Sequence, residues 1–120
     1  MEIVLERKKE LKEEYKNLKP DIGIIAIKSK ISLKHLILCS QNIKASINRA
    51  KFQLNHGSYP NKDLQNEWKE NGENSFEINI LEELSYDKDD TKTDYSEDLE
   101  ILGMIWKERL KEEEIEFYKD

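Results

Sequence analysis

Apolar side chains recur along this chain with two periods, one helical and one extended, and the switches between them mark out its elements. Leu11, Tyr15 and Leu18 stand at i, i+4 and i+7 among Lys and Glu, which predicts a helix over residues 1–18 that stops before Pro20. Ile22, Ile24 and Ala26 then alternate with Gly23, Ile25 and Ile27, so an extended segment is apolar on both faces. Leu36, Ile37, Leu38 and Cys39 follow a polar connection, and the two runs read as a β-hairpin. Neither run alternates with polar residues, so the hairpin is expected to be central and covered on both sides.

Asn42 is a suitable N-cap for the next segment. There Ile43, Ile47, Ala50 and Leu54 draw a one-sided helical stripe that ends near Gly57. Pro60 and Asn61 open another helix, with Leu64 and Trp68 as its i, i+4 anchors and Gly72 as its stop. Phe76, Ile78 and Ile80 alternate with Glu77, Asn79 and Leu81 as a strand. The polar stretch 85–94 is a loop. A final helix is expected over 96–118, its inward positions Leu99, Leu102, Ile105/Trp106 and Leu110 and its end a solvated run of Glu112 to Glu116. The order is α-β-β-α-α-β-α, a mixed α/β chain of the α+β type with about three strands and no internal repeat.

Charge changes the picture more than composition does. Across 120 residues the chain carries 20 basic and 26 acidic side chains, a net −6. Between Ile22 and Lys62 there is no Asp or Glu, while Lys28, Lys30, Lys34, Lys44, Arg49, Lys51 and Lys62 supply seven positive charges. The rest of the chain therefore stands at −13. Such a block suits a polyanion, DNA or RNA, unless the basic and acidic segments pair with each other in the fold. Lys44 and Lys51, seven apart on one helix, share a face and could form a phosphate-facing row with Lys28 or Lys30 of the hairpin; Arg49 belongs to the same helix. The acidic helices offer a second surface, for a protein partner or a second copy.

No apolar run is long enough for a membrane span or placed as a secretory segment would be, and the single cysteine, Cys39, excludes an internal disulfide and a cysteine-rich zinc site. A cytoplasmic domain is expected. Other chemistry is thinly supported. An EF-hand loop starting at Asp87 would need Gly at its sixth position and Glu at its twelfth, where Lys92 and Asp98 stand. His35 and His56 flank separate elements, and Cys39 has no general base beside it in sequence. Phosphate-binding glycine loops and the common hydrolase motifs are missing.

From Ile22 to about Leu110 the chain resembles the GIY-YIG endonuclease domain. The most specific portion is 48–84, NRAKFQLNHGSYPNKDLQNEWKENGENSFEINILEEL, with Leu64, Gly72, Phe76 and Ile80-Leu81-Glu82-Glu83 as landmarks. Gly23-Ile24-Ile25 stands where the first motif belongs, and Ile37-Leu38-Cys39 where the second does. The resemblance implies a small three-stranded antiparallel sheet flanked by helices over 20–120, with residues 1–19 an added N-terminal helix. It also implies hydrolysis of a DNA phosphodiester, in which a tyrosine or its bound water starts the attack, a glutamate holds a divalent metal such as magnesium, and an arginine steadies the phosphate charge.

Residue by residue, little of that apparatus is present. The motif tyrosines fall at Ile25 and Ile37, the second motif's glycine at Cys39, the arginine near Ser46 and the helix histidine at Ala50. The residue after the glycine turn is Tyr59, and the metal-binding glutamate falls at Gly103, three before Trp106. Isoleucine transfers no proton and glycine ligates no metal. Glu100, one turn earlier, is read as a solvated surface charge. The expectation is a domain with no catalytic residues, no metal ligands and no cofactor, binding nucleic acid through Lys28, Lys30, Lys44, Arg49 and Lys51. The alternatives are a protein-interaction or regulatory domain, or a residual DNA endonuclease with a rebuilt site.

Overall fold

The structure is a computed structural model that describes residues 19–89 and 91–119, so the expected N-terminal helix lies outside the described residues. Strands β1 (Ile22–Ser29) and β2 (His35–Ser40) are followed by helices α1 (Ile43–His56) and α2 (Lys62–Asn71). A 3-10 turn (Glu73–Ser75) leads to strand β3 (Phe76–Leu84), and helix α3 (Ser96–Glu112) comes last. The sheet is antiparallel throughout with the order β2-β1-β3. This is the α+β arrangement that the hydrophobic pattern implies.

β1 is apolar on both faces because both faces are covered. Ile22 and Ile24 pack with Tyr95 and Leu99 toward α3, while Ile27 packs with Ala50, Leu54, Leu64 and Trp68 toward α1 and α2. Ile24, Ile25 and Ile27 are completely buried, each such burial contributing about 1.5–3 kcal/mol. β2 corrects the expectation of a wholly central hairpin. It is an edge strand whose residues from His35 to Leu38 are only half-buried, so its apolar run reflects one-sided packing.

Local signals set the helix ends. The Asn42 side chain accepts a hydrogen bond from the Ala45 amide (3.1 Å) and that of Asn61 accepts from Leu64 (3.0 Å), each satisfying an orphan donor of its first turn. Gly57 closes α1 at φ 75°.

Two close approaches fix the layers. In β3 the pairing passes from Ile25–Ile80 to Ile24–Glu82, so Leu81 is an extra residue at a β-bulge. Here the β3 backbone lies against Gly23. A Cβ at that position would collide with the Glu82 carbonyl oxygen and stand 2.9 Å from Glu83 Cα. The bulge also breaks the simple alternation expected of β3, since Leu81 and the next residue, Glu82, both turn toward α3, where Trp106 Nε1 donates to Glu82; Ile80, in register with Ile25, is 47% exposed. On the other side of the molecule, a Cβ at Gly103 of α3 would stand 2.6 Å from Cys39 Sγ of β2.

The C-terminal segment departs most from expectation. α3 ends at Glu112, and Glu114 adopts φ 63° where the chain reverses. The following residues return to β2, where His35 N–H donates to the Glu116 carbonyl (2.9 Å) and Tyr118 N–H to the His35 carbonyl (3.1 Å). Tyr118 is 4% exposed and joins the α1–α2 core. Ile105 is also corrected: it is 48% exposed, and the inward positions of α3 are Leu99, Leu102, Gly103, Trp106 and Leu110.

Candidate nucleic-acid interface

α1 lies across one face of the sheet and leaves a groove on each flank. The first, about 480 Å³, opens between the β2 edge and α1 and is lined by Leu36–Cys39, Ser46, Arg49, Ala50, Gln53 and residues 59–61. The second, about 520 Å³, lies on the β3 side and is lined by Lys30, Lys51, Trp68, Glu73, Asn74, Phe76 and Ile78.

The first cleft is built by the sequence around it. The Ser40 hydroxyl accepts from the Asn42 amide (3.0 Å) and shares a hydrogen bond with the Ser46 hydroxyl (2.5 Å), which joins the end of β2 to the first turns of α1. Gln65 braces the α1–α2 connection, donating to the Leu54 carbonyl and accepting from the Tyr59 amide, both at 2.9 Å. Tyr59 is thereby held at the rim, and burial raises the pKa of its phenol. Ala50 and the β2 leucines make an apolar floor, and among the described residues Arg49 is the one charged side chain along the cleft.

Positions implied by the resemblance sit as follows. Ile25 is fully buried and, two residues from Ile27 on β1, shares the face that Ile27 turns toward α1 and α2. Its β2 neighbour is Leu38, whereas Ile37 pairs with Ala26 and packs toward Tyr95 and Leu99 on the opposite side. Groups acting on one phosphate must share a face, so Leu36 and Leu38 are the β2 residues on the side of Ile25. All of these are apolar. Ser46 and Ala50 stand in the cleft wall, and Gly103 is buried under Cys39. Cys39 is exposed at the edge, its thiol donating to the Leu99 carbonyl (3.3 Å). Burial raises the thiol's pKa, nearby Lys107 opposes this, and Glu100 adds to it.

The basic residues are divided by the fold. Arg49 faces the β2-edge cleft, while Lys30 and Lys51 meet in the second groove beside Glu73. Lys30 Nζ donates to the Asn74 carbonyl (3.2 Å). Lys44 is exposed nearly two turns from Lys51 on α1, about 10 Å along the axis. Lys28 follows Ile24 and Ala26 onto the α3 side of the sheet, between His35 and Glu77, and does not join the row. Lys34 is drawn to Asp63 (3.7 Å) and to the Tyr118 ring (5.8 Å).

Sequence reasoning missed the polar cluster around Tyr118. Its hydroxyl donates to Glu67 Oε2 (2.9 Å), while Asn61 Nδ2 donates to the Lys119 carbonyl (2.8 Å) and the Lys119 amide to Asp63 (3.3 Å). Burial alone would raise the Glu67 carboxyl. Hydrogen bonds from Ser29, Ser32 and Tyr118 and the charge of Lys34 outweigh it and hold the group below its ordinary value. Burial and the Glu67 acceptor push the Tyr118 phenol far up. Among the described residues no three His, Cys, Asp or Glu side chains gather as a group that could hold a metal ion, and no helix is long and apolar enough to cross a membrane.

No protein-family model and no curated protein sequence matches the chain. Two solved structures do. The catalytic domain of the homing endonuclease I-TevI superposes with a TM-score of 0.63 at 23% identity, over 82% of this chain and 99% of that one. A mutant form of the catalytic domain of the intron endonuclease I-TevI superposes with a TM-score of 0.50 at 30% identity, over 57% of this chain and 70% of that one. The three-stranded sheet, the α1–α2 cover and the α3 backing are thus shared with a nuclease catalytic domain, and the chain belongs to the GIY-YIG endonuclease-like family.

Proposed function

We propose that this chain is a nucleic-acid-binding module that uses the GIY-YIG endonuclease-like fold without its cleavage chemistry. The observation that carries the reading is the lining of the β2-edge cleft: Arg49, neutral polar groups from Ser46, Gln53, Tyr59 and Asn61, an apolar floor and, among the described residues, no carboxylate. A guanidinium with neutral donors around it suits a phosphate diester, which it can meet with two parallel hydrogen bonds. Lys30, Lys51 and Lys44 flank the same helix and supply further positive charge, and the acid-free block Ile22–Lys62 contributes every one of these cations. The resemblance to a nuclease catalytic domain supports nucleic acid as the polyanion.

The donor set does not fit the metal that the family would use. Gly103 has no ligating atom, and Cys39 Sγ occupies the space into which a side chain there would grow. Among the described residues Tyr59 is the one phenol lining the cleft, and its raised pKa keeps it protonated near neutral pH. The test is prolonged incubation of supercoiled plasmid with magnesium or manganese at high protein excess. The expected result is retarded but intact plasmid. Nicking that survives repurification and disappears with Glu100→Ala or Tyr59→Phe would establish a rebuilt nuclease site instead.

A further inference from the structure

The connection between β1 and β2, residues 30–34, turns its apolar side chains outward: Ile31 is 62% exposed and Leu33 57%. The exposure is not looseness, because each amide from Lys30 to Lys34 is hydrogen-bonded. Lys30 N–H donates to the Ser75 carbonyl (2.8 Å), and those of Ile31 and Ser32 to the Ser29 hydroxyl (3.1 and 3.0 Å). The Leu33 amide donates to the Ser29 carbonyl (3.1 Å) and that of Lys34 to the Ser32 hydroxyl (3.3 Å). Ser29, on which the turn hangs, is completely buried. Leu33 holds φ 64°, a left-handed conformation that Gly or Asn adopts without a leucine's strain. A braced, strained tip that keeps two large apolar groups in water calls for something to cover them.

We infer that the tip is a wedge for stacked bases: with a DNA duplex lying in the β3-side groove, Ile31 and Leu33 enter between neighbouring base pairs and part them. The inference rests on the nucleic-acid reading above and states how that nucleic acid is deformed. Two features select this occupant. The tip belongs to the acid-free stretch Ile22–Lys62, with Lys30 and Lys34 on either side of its apolar pair. Lys30 is also shared, since it precedes Ile31 and lines the groove that holds Lys51. An anionic chain that meets both lysines therefore passes beside the tip. Lys30 Nζ gives one donor to the Asn74 carbonyl (3.2 Å), and its ammonium has two more for phosphate oxygens.

A flat anionic surface fits less well. Both lysines turn back from the tip, Lys30 into the groove and Lys34 toward Asp63 (3.7 Å) and the Tyr118 ring (5.8 Å). A bilayer meeting the tip head-on would take up the two apolar side chains without cations at the level of its headgroups. A nucleic-acid backbone in the groove runs past Lys30 and Lys51 and presents its bases to the tip. Apolar wedges part a base step at a cost that the new contacts offset, and pyrimidine–purine steps part most easily. The wedge is therefore expected to favour TA steps without hydrogen-bonding to their edges.

A short DNA duplex with 2-aminopurine beside a central TA step, titrated with the full 120-residue chain, tests the inference. Fluorescence of the stacked 2-aminopurine should rise as the protein saturates the duplex at low salt. The Ile31→Ala/Leu33→Gly double variant should lose that rise and bind roughly tenfold more weakly, with the parent's salt slope because its phosphate contacts remain. Glycine accepts φ 64°, so the variant should unfold in urea near the parent's midpoint; Leu33→Asn, which tolerates the same φ, should also lose the rise. Salt-dependent binding with unchanged fluorescence, or a rise that the double variant keeps, overturns the wedge and leaves the nucleic-acid reading standing. Absence of binding at the lowest salt overturns both. Flotation of the parent but not of the double variant with phosphatidylcholine–phosphatidylglycerol vesicles would assign the tip to a lipid surface and overturn the inference as well.

Discussion

Gly23→Ala probes the close approach that seats β1 in this fold. A methyl group there meets backbone, the Glu82 carbonyl oxygen and Glu83 Cα, and neither can swing aside as a side-chain tip could. β3 must move away by about an ångström, which strains a packed layer at a cost of ~1–3 kcal/mol. It also weakens one or two ladder hydrogen bonds beside the bulge at Leu81, each contributing about 1 kcal/mol. The expected loss is about 3–4 kcal/mol, a large share of the ~5–15 kcal/mol that a domain commands. Urea denaturation followed by circular dichroism measures it, as a fall in midpoint with an unchanged slope. Gly57→Ala is the control. Gly57 has φ 75° with none of the described residues within 4 Å of a Cβ, so it should lose only the left-handed penalty of ~1–2 kcal/mol. If Gly23→Ala cost no more than Gly57→Ala, the strand approach would not be steric and the reasoning would fail.

Tyr118→Phe should cost about 1–2 kcal/mol by removing the donor to Glu67, and Tyr118→Ala ~3–5 kcal/mol by emptying a core position, both read from the same urea transitions. Because the Glu67 carboxyl is held below its ordinary value of 4.5, it favours the folded state above that pH and the benefit is lost as pH falls through its depressed value. Glu67→Gln should therefore flatten the acid limb of the stability profile below about pH 4.5, and an acid limb identical to the parent's would refute the assignment. Gly103→Glu should destabilise by ~1–3 kcal/mol through its clash with Cys39 and leave the chain without plasmid cleavage; metal-dependent cleavage by that variant would contradict the reading of this position.

The helices were legible where the chain writes both a stripe and its caps. The positions 43, 50 and 54, the Asn42 cap and the Gly57 stop give α1 to within a residue. β1 was legible because an apolar run on both faces needs a covered strand. β2 carries a similar run at an edge, since covering of its second side depends on tertiary neighbours that the strand's own residues do not specify. The bulge at Leu81 was hidden because it arises from pairing, and the 47% exposure of Ile80 was hidden because it lies on an edge strand, which its own residues do not specify. The end of α3 was hidden for another reason. Glu112 to Glu116 favours helix locally, yet the burial of Tyr118 against α2 and two hydrogen bonds to β2 outweigh that preference. At the candidate site, the acid-free block was plain in the sequence, but its division between the two flanks of α1 follows from the helix's seat on the sheet. Arg49 and Lys51, two residues apart, point into different grooves.

The central claim is that the groove beside α1 binds a nucleic-acid backbone through its cations, and fluorescence anisotropy of a labelled DNA duplex across a salt series tests it most directly. The prediction is an affinity that falls linearly with salt on logarithmic axes, with each phosphate contact contributing a slope of about −0.9. Arg49→Glu should weaken binding at low salt and reduce that slope, while Lys28→Glu, on the far side of the sheet, should do neither. Absence of binding at the lowest salt, or binding indifferent to both salt and Arg49→Glu, would contradict the claim.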